Sequence, residues 1–142
     1  MSLPAILIVE DEIFVALDIE RVLADAGYTV AAIAADRTEA LAAAAHAELA
    51  FVDLNLRDGP TGPQLARDLA RHGLKIIYVT ANPAQIAPPA DTAIGYIRKP
   101  FRDETILNAA AAALAGVAPA DPDLMLFPAA NDGAMPLSVS SR

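Results

Sequence analysis

The sequence predicts an α/β fold: one parallel sheet with helices packed on both faces. Three observations carry this. Short apolar runs of strand length alternate with longer segments of helical period from residue 4 to about residue 116. The runs at 6–9, 49–52 and 76–79 are apolar throughout instead of at every second position, as strands covered on both faces require. Strict strand-then-helix order calls for parallel pairing through right-handed crossovers, which puts helices on both sides of the sheet. A chain of 142 residues is the size of one domain.

The first strand is Ile6-Leu7-Ile8-Val9. The helix after it lines up Val15, Ile19, Val22, Leu23 and Ala26 on one face and stops at Gly27. Residues 28–34 read as the second strand. Asp36 followed by Glu39 is a capping pair that opens an Ala-rich helix running to about Ala47. The third strand at 49–52 leads into the turn-rich Asp58-Gly59-Pro60-Thr61-Gly62. The next helix turns Leu65 and Leu69 inward, with Arg67, Asp68 and Arg71 outward, and ends at Gly73. Residues 75–79 and 93–97 are strands four and five. The last helix spans 103–114, with Ile106, Ala110, Ala113 and Leu114 on one face.

One helix is missing from this rhythm. Pro88 and Pro89 would break any helix begun at Pro83 within two turns, so at most a single turn forms between strands four and five. Beyond Gly116 the periodicity gives out. Pro119, Pro122, Pro128 and Pro136 mark 117–142 as a Pro-containing tail, partly disordered, in which the apolar stretch 124–127 is able to dock onto the domain.

Composition removes several classes of function. Asp and Glu number 18 against 10 Lys and Arg, a net charge of −8, so the footprint of a nucleic-acid or anionic-membrane binder is missing. With no Cys there is no disulfide framework, thiol nucleophile or thiolate-held metal. No apolar run approaches the ~20 residues that span a bilayer, and Met1-Ser2-Leu3-Pro4 lacks the basic start of a secretion signal. The expectation is a soluble, cytoplasmic protein without a direct nucleic-acid or membrane partner.

Sites in open parallel sheets form at the carboxyl ends of the strands. Glu10, Asp11 and Glu12 follow strand one, Asp53 strand three, Thr80 strand four, and Lys99 strand five. Each alone has a plain structural explanation. Asp11 is a ready N-cap, Asp53 a turn former, Thr80 a good strand residue and Lys99 an ordinary surface lysine. His46 and His72 have no evident partners and no assigned role. The argument for a site is that all these groups fall on one edge. Two carboxylates about 4 Å apart repel by roughly 4 kcal/mol at an effective dielectric of about 20, so Glu10, Asp11 and Asp53 call for a cation. An all-oxygen donor set suits Mg²⁺. Such a site attracts phosphate, Lys99 is placed to clamp a phosphoryl oxygen, and one carboxylate remains to attack phosphorus.

The segments Ile6-Leu7-Ile8-Val9-Glu10-Asp11-Glu12, Asp53-Leu54-Asn55-Leu56, Val79-Thr80-Ala81 and Gly95-Tyr96-Ile97-Arg98-Lys99-Pro100-Phe101 together resemble the receiver domain of two-component response regulators, the CheY-like family. The resemblance covers residues 4 to about 116. It implies a flavodoxin-like sheet of order 2-1-3-4-5, with the fourth helix short or absent here. It implies Asp53 as phosphoacceptor, taking its phosphoryl group from a sensor histidine kinase or phosphotransfer protein to control a protein partner. Mg²⁺ would be bound directly by Asp11 and Asp53, through water by Glu10, and by the backbone carbonyl of Asn55. Lys99 would meet the phosphoryl group from a cis bond to Pro100. Thr80 would donate its hydroxyl and Tyr96 swing inward, biasing a pre-existing equilibrium. A shift from 1:99 to 99:1 takes about 5.5 kcal/mol of differential stabilisation, which a few charge-assisted hydrogen bonds can approach.

The resemblance implies a switch rather than an enzyme. The Pro-rich 83–92 segment also looks like that of receivers linked to alphaproteobacterial stress signalling. A haloacid-dehalogenase-like phosphatase would carry a second acid where this chain has Asn55, which cannot protonate a leaving group. A dinucleotide-binding domain would have a glycine-rich turn where this chain has Glu10-Asp11-Glu12. The third alternative is a receiver fold serving as an interaction module without phosphorylation. The tail is too short to form a helix-turn-helix output domain.

Overall fold

Alternation along each strand divides the interior in two. Ile6 and Ile8 face one side of the first strand, Leu7 and Val9 the other, and each set belongs to a separate buried cluster. The computed structural model describes residues 4–59, 61–86, 92–117 and 120–127. Its strands are β1 (Ala5–Val9), β2 (Thr29–Ala34), β3 (Leu49–Asp53), β4 (Lys75–Thr80), β5 (Gly95–Arg98) and β6 (Leu124–Leu126). Its helices are α1 (Ile13–Asp25), α2 (Arg37–Ala43), α3 (Gly62–Arg71) and α4 (Asp103–Ala115). The sheet runs β2-β1-β3-β4-β5-β6. The first five strands are parallel, in the flavodoxin-like order, and β6 joins β5 antiparallel.

Helices α1 and α4 cover the face carrying Ile6, Ile8, Phe51, Ile77 and Val79. Helices α2 and α3 cover the face carrying Leu7, Val9, Ala50, Val52 and Ile76. In α1 the buried residues are Ala16, Ile19, Val22 and Leu23. Ala26, expected on that face, is instead exposed, because the helix stops at Asp25 and the chain turns at Gly27. The capping pair of α2 forms: Glu39 N donates to Asp36 Oδ1 at 3.0 Å, and Ala35 N donates to Glu39 Oε1 at 2.7 Å. That helix is shorter than expected and continues to His46 as a 3₁₀ turn. Asp68, expected outward on α3, is mostly covered, because Arg37 and Arg71 both pair with its carboxylate.

Among the described residues between β4 and β5, a single 3₁₀ turn, Pro83–Gln85, forms where a crossover helix would lie. Residues 87–91, including Pro88 and Pro89, lie outside the described residues. A right-handed crossover here would have lain on the α3 side. On that side Ile86, Tyr96 and Phe127 pack against the core. Phe127 thus packs on the face where, among the described residues, no crossover helix lies.

The apolar tail segment docks as a strand, a form the sequence alone did not indicate. Leu124 and Leu126 pack on the α1/α4 side. Residues 128–142, the rest of the predicted tail, lie outside the described residues. The strand is anchored just ahead of its start. Arg102 donates to Asp121 Oδ1 at 2.9 Å and to Asp123 Oδ2 at 3.0 Å, and Asn108 donates to Asp121 Oδ2 at 2.8 Å. Burial works to raise the Asp121 pKa, but the hydrogen bonds from Asn108 and the Asp123 amide, with the charge of Arg102, hold it below the ordinary carboxylate value. A depressed value means that this anchor is present above the ordinary carboxylate range and is lost as pH falls through the folded value. Asp121→Ala is expected to weaken the anchor by about 1–2 kcal/mol. Hydrogen exchange at the Phe127 amide, which donates to Ile94 O at 2.7 Å, should then speed up roughly tenfold. Unchanged exchange would remove Asp121 as the anchor.

Candidate functional site

At the carboxyl edge of the sheet the chain leaves β1 at Glu10, which is only 2% exposed. The Glu10 backbone amide donates to Ala34 O at 2.8 Å, and its Oε2 accepts from Glu12 N at 3.2 Å. The N-cap position of α1 is Glu12, with no side-chain capping bond. Asp11 therefore does not serve as the helix cap, and its exposed carboxylate lies at the sheet edge. Carboxylate oxygens of Glu10, Asp11 and Asp53 all lie within 4.8 Å of one another.

Asp53 ends β3, paired in register with Val79, and is 6% exposed. Its Oδ1 accepts from Asn55 N at 3.1 Å, and its Oδ2 lies 3.2 Å from Lys99 Nζ. Behind it, α3 opens with a glycine for a steric reason. A Cβ at Gly62 would stand 2.4 Å from Asp53 O and 2.6 Å from Leu54 Cα. Gly62→Ala is accordingly expected to cost about 1–3 kcal/mol of stability, read as a lower denaturation midpoint. An unaltered midpoint would mean that the loop after β3 yields freely.

Thr80 ends β4 fully buried, and its Oγ1 accepts from Asn82 N at 2.9 Å. Lys99 follows β5. Its amide donates to Thr80 O at 2.9 Å, and the Lys99–Pro100 bond is cis. Lys99 Nζ lies 2.9 Å from Glu10 Oε1, 3.2 Å from Asp53 Oδ2 and 3.3 Å from Glu12 Oε2. Burial, reinforced by the Asp53 carboxylate, pushes the Glu10 carboxyl up to about 7 despite the opposing pull of Lys99. Burial alone would lower the Lys99 pKa, but its bonds and attraction to Glu10 and Asp53 outweigh that and raise it. The ammonium stays charged.

Asp11, Asp53, Asn55, Thr80, Asn82 and Lys99 line a cleft of about 300 Å³. A larger, more apolar depression of about 700 Å³ adjoins it, bordered by Phe14, Leu17, Lys99, Pro100 and Phe101. Tyr96 is not in the cleft lining: its ring leans on Phe127, centroids 5.9 Å apart at 41°. The donor set offered by Glu10, Asp11 and Asp53 is wholly oxygen and anionic, which fits a hard divalent cation such as Mg²⁺. Lys99 alone cannot neutralise so many carboxylates.

The family model for the response regulator receiver domain matches residues 6–111. The chain belongs to this family. Among related sequences, the phyllosphere-induced regulator PhyR of Methylorubrum extorquens is 31% identical over 106 residues, which is 71% of this chain and 40% of that regulator's length. This receiver thus matches less than half of that relative. Among solved structures, the receiver domain of the Erythrobacter litoralis PhyR response regulator superposes with a TM-score of 0.73 at 28% identity, covering 85% of this chain and 97% of the other. A CheY-like receiver protein from Methanospirillum hungatei gives 0.69 at 30% identity, covering 81% and 96%.

Two contacts in this receiver were not visible in its sequence. Glu12 reaches back to Lys99; the sequence puts it on the same edge but gives it no role there. Gln85, in the 3₁₀ turn after β4, accepts from Asn55 Nδ2 at 2.9 Å, beside a separate small cavity that it lines with Leu54, Asn55 and Pro63. Only the fold brings residues thirty positions apart together there.

Proposed function

We propose that this receiver is a phosphorelay switch in which Asp53 accepts a phosphoryl group and the resulting change around Thr80 and Tyr96 controls a protein partner. The observation that carries this reading is the setting of Asp53. One of its oxygens touches Lys99, and the carboxylates of Glu10 and Asp11 lie close by. An Asp53 oxygen would attack the phosphorus of a phosphohistidine. The new P–O bond forms as the P–N bond breaks, and the leaving electron pair stays on the imidazole nitrogen. Glu10, Asp11, Asp53 and the carbonyl of Asn55 would hold Mg²⁺, which neutralises the acidic groups and the incoming phosphoryl oxygens.

Lys99 then exchanges its carboxylate partners for a phosphoryl oxygen. The Thr80 oxygen already accepts a bond from Asn82, and its own hydrogen is free to turn toward the phosphoryl group. The switch is read by proteins. No helix among the described residues is long and apolar enough to cross a membrane, and the acidic charge disfavours nucleic acid. The test is incubation with acetyl phosphate and Mg²⁺, followed by intact mass. One phosphoryl group per chain, removed at alkaline pH, is the expected result. No gain in mass, or continuous hydrolysis of phosphate monoesters, would overturn the reading.

The phosphodonor is a sensor histidine kinase or a phosphotransfer protein. It has to bring its histidine to the cleft, and the adjoining apolar depression suits its docking. Phe14 there is 84% exposed and Leu17 44%. Phe14→Ala is expected to slow transfer from a phosphorylated phosphotransfer protein about tenfold or more, while transfer from acetyl phosphate stays at the parent rate. Equal effects on both donors would assign Phe14 to folding instead.

A further inference from the structure

A sheet edge left open exposes a row of unpaired amides and carbonyls. Here the β5 edge is covered by this chain's own β6, with Gly95, Tyr96 and Ile97 opposite Leu126, Met125 and Leu124. The fit is close. A Cβ at Gly95 would stand 2.2 Å from Met125 O, so the strand seats fully only because that position lacks a side chain. Two contacts connect the covering strand to groups near the cleft. The Phe127 ring leans on Tyr96, and Arg102, three residues after Lys99, holds Asp121 and Asp123 ahead of β6.

We propose that β6 is a strap over the β5 edge, seated while Asp53 is unmodified and loosened when Asp53 carries a phosphoryl group. The proposal rests on the phosphoacceptor reading above. A strand of three residues is held by few backbone bonds, so it opens at low cost compared with the rest of the sheet. When Tyr96 turns toward Thr80 it leaves Phe127, and the strap loses its aromatic partner. When Lys99 shifts onto the phosphoryl group, the short loop to Arg102 carries the change toward the acidic anchor. Release bares the backbone of Gly95 to Ile97, which suits an extended segment of a protein partner added as an antiparallel strand.

Hydrogen exchange at the Phe127 amide, measured with and without acetyl phosphate and Mg²⁺ and with intact mass taken on the same samples, tests this. Exchange about fivefold faster or more in the phosphorylated chain is expected. By reciprocity, Phe127→Ala should bind Mg²⁺ and beryllofluoride, a stable stand-in for the phosphoryl group, more tightly by a similar factor. Gly95→Ala, which displaces the strap sterically, should show fast Phe127 exchange in both states. A chain that gains a phosphoryl group while Phe127 exchange stays the same overturns the strap and leaves the phosphoacceptor reading standing. Unchanged beryllofluoride affinity in Phe127→Ala also overturns the strap. A chain that gains no mass overturns both.

Discussion

Asp53→Asn is expected to abolish phosphate incorporation from acetyl phosphate while the protein melts no lower than the parent. The amide keeps the volume of the carboxylate and can still accept the Asn55 backbone bond at Oδ1. It cannot form an acyl phosphate, because the attacking anionic oxygen is gone. The stability arm follows from the charges around it. Glu10 and Asp11 carry oxygens within 4.8 Å of Asp53, so removing one negative charge relieves repulsion that offsets the lost attraction to Lys99, which keeps Glu10 and Glu12 as partners. Labelling at the parent stoichiometry would remove Asp53 as the acceptor. A collapse of the melting temperature would show that the carboxylate is structural.

Lys99→Ala is expected to destabilise the protein by about 3 kcal/mol in chelator-containing buffer, with much of the loss recovered on adding Mg²⁺. Lys99 is the cation that Glu10, Glu12 and Asp53 share, and its side chain is only 14% exposed. Without it, buried carboxylates face one another with no compensating charge, and a divalent ion bound by the folded state supplies that charge. The same variant should still accept phosphate from acetyl phosphate slowly, but the amide resonances of Thr80 and Tyr96 should not move. Failure of Mg²⁺ to restore stability would count against the acidic cluster as a cation site. Parental resonance shifts would count against Lys99 as the link to the switch.

Much of this was legible along the chain because it is local. Ile6 to Val9 and Leu49 to Val52 are apolar at every position, and only a strand covered on both faces needs that. Asp36 and Glu39 announced a helix start that the structure builds with both reciprocal bonds. Pro88 and Pro89 argued against a helix, and among the described residues of that segment a single turn, Pro83–Gln85, forms. That residues 10, 11, 53 and 99 lie close together was also legible, because each sits at or just past the end of a strand and parallel strands end at the same edge.

The sixth strand was not. Residues 124–126 are too few to show a period, and their partner β5 lies over twenty residues away. Asp68 and Ala26 were misplaced for a similar reason: whether a helical position is covered depends on where its neighbours end and what reaches across to it. Arg37 of one helix reaching Asp68 of another has no signature in either segment.

The order of residue types, read alone, determined the layered α/β architecture and which acidic, hydroxyl and ammonium groups share an edge, since both follow from spacing and from chain direction. Tertiary structure alone decided that Lys99 is held by Glu10, Glu12 and Asp53, that Tyr96 rests on Phe127, and that residues 124–126 extend the sheet beyond β5. Those contacts depend on distances between segments far apart in the chain, which are set only when the two cores pack and bring their side chains within reach.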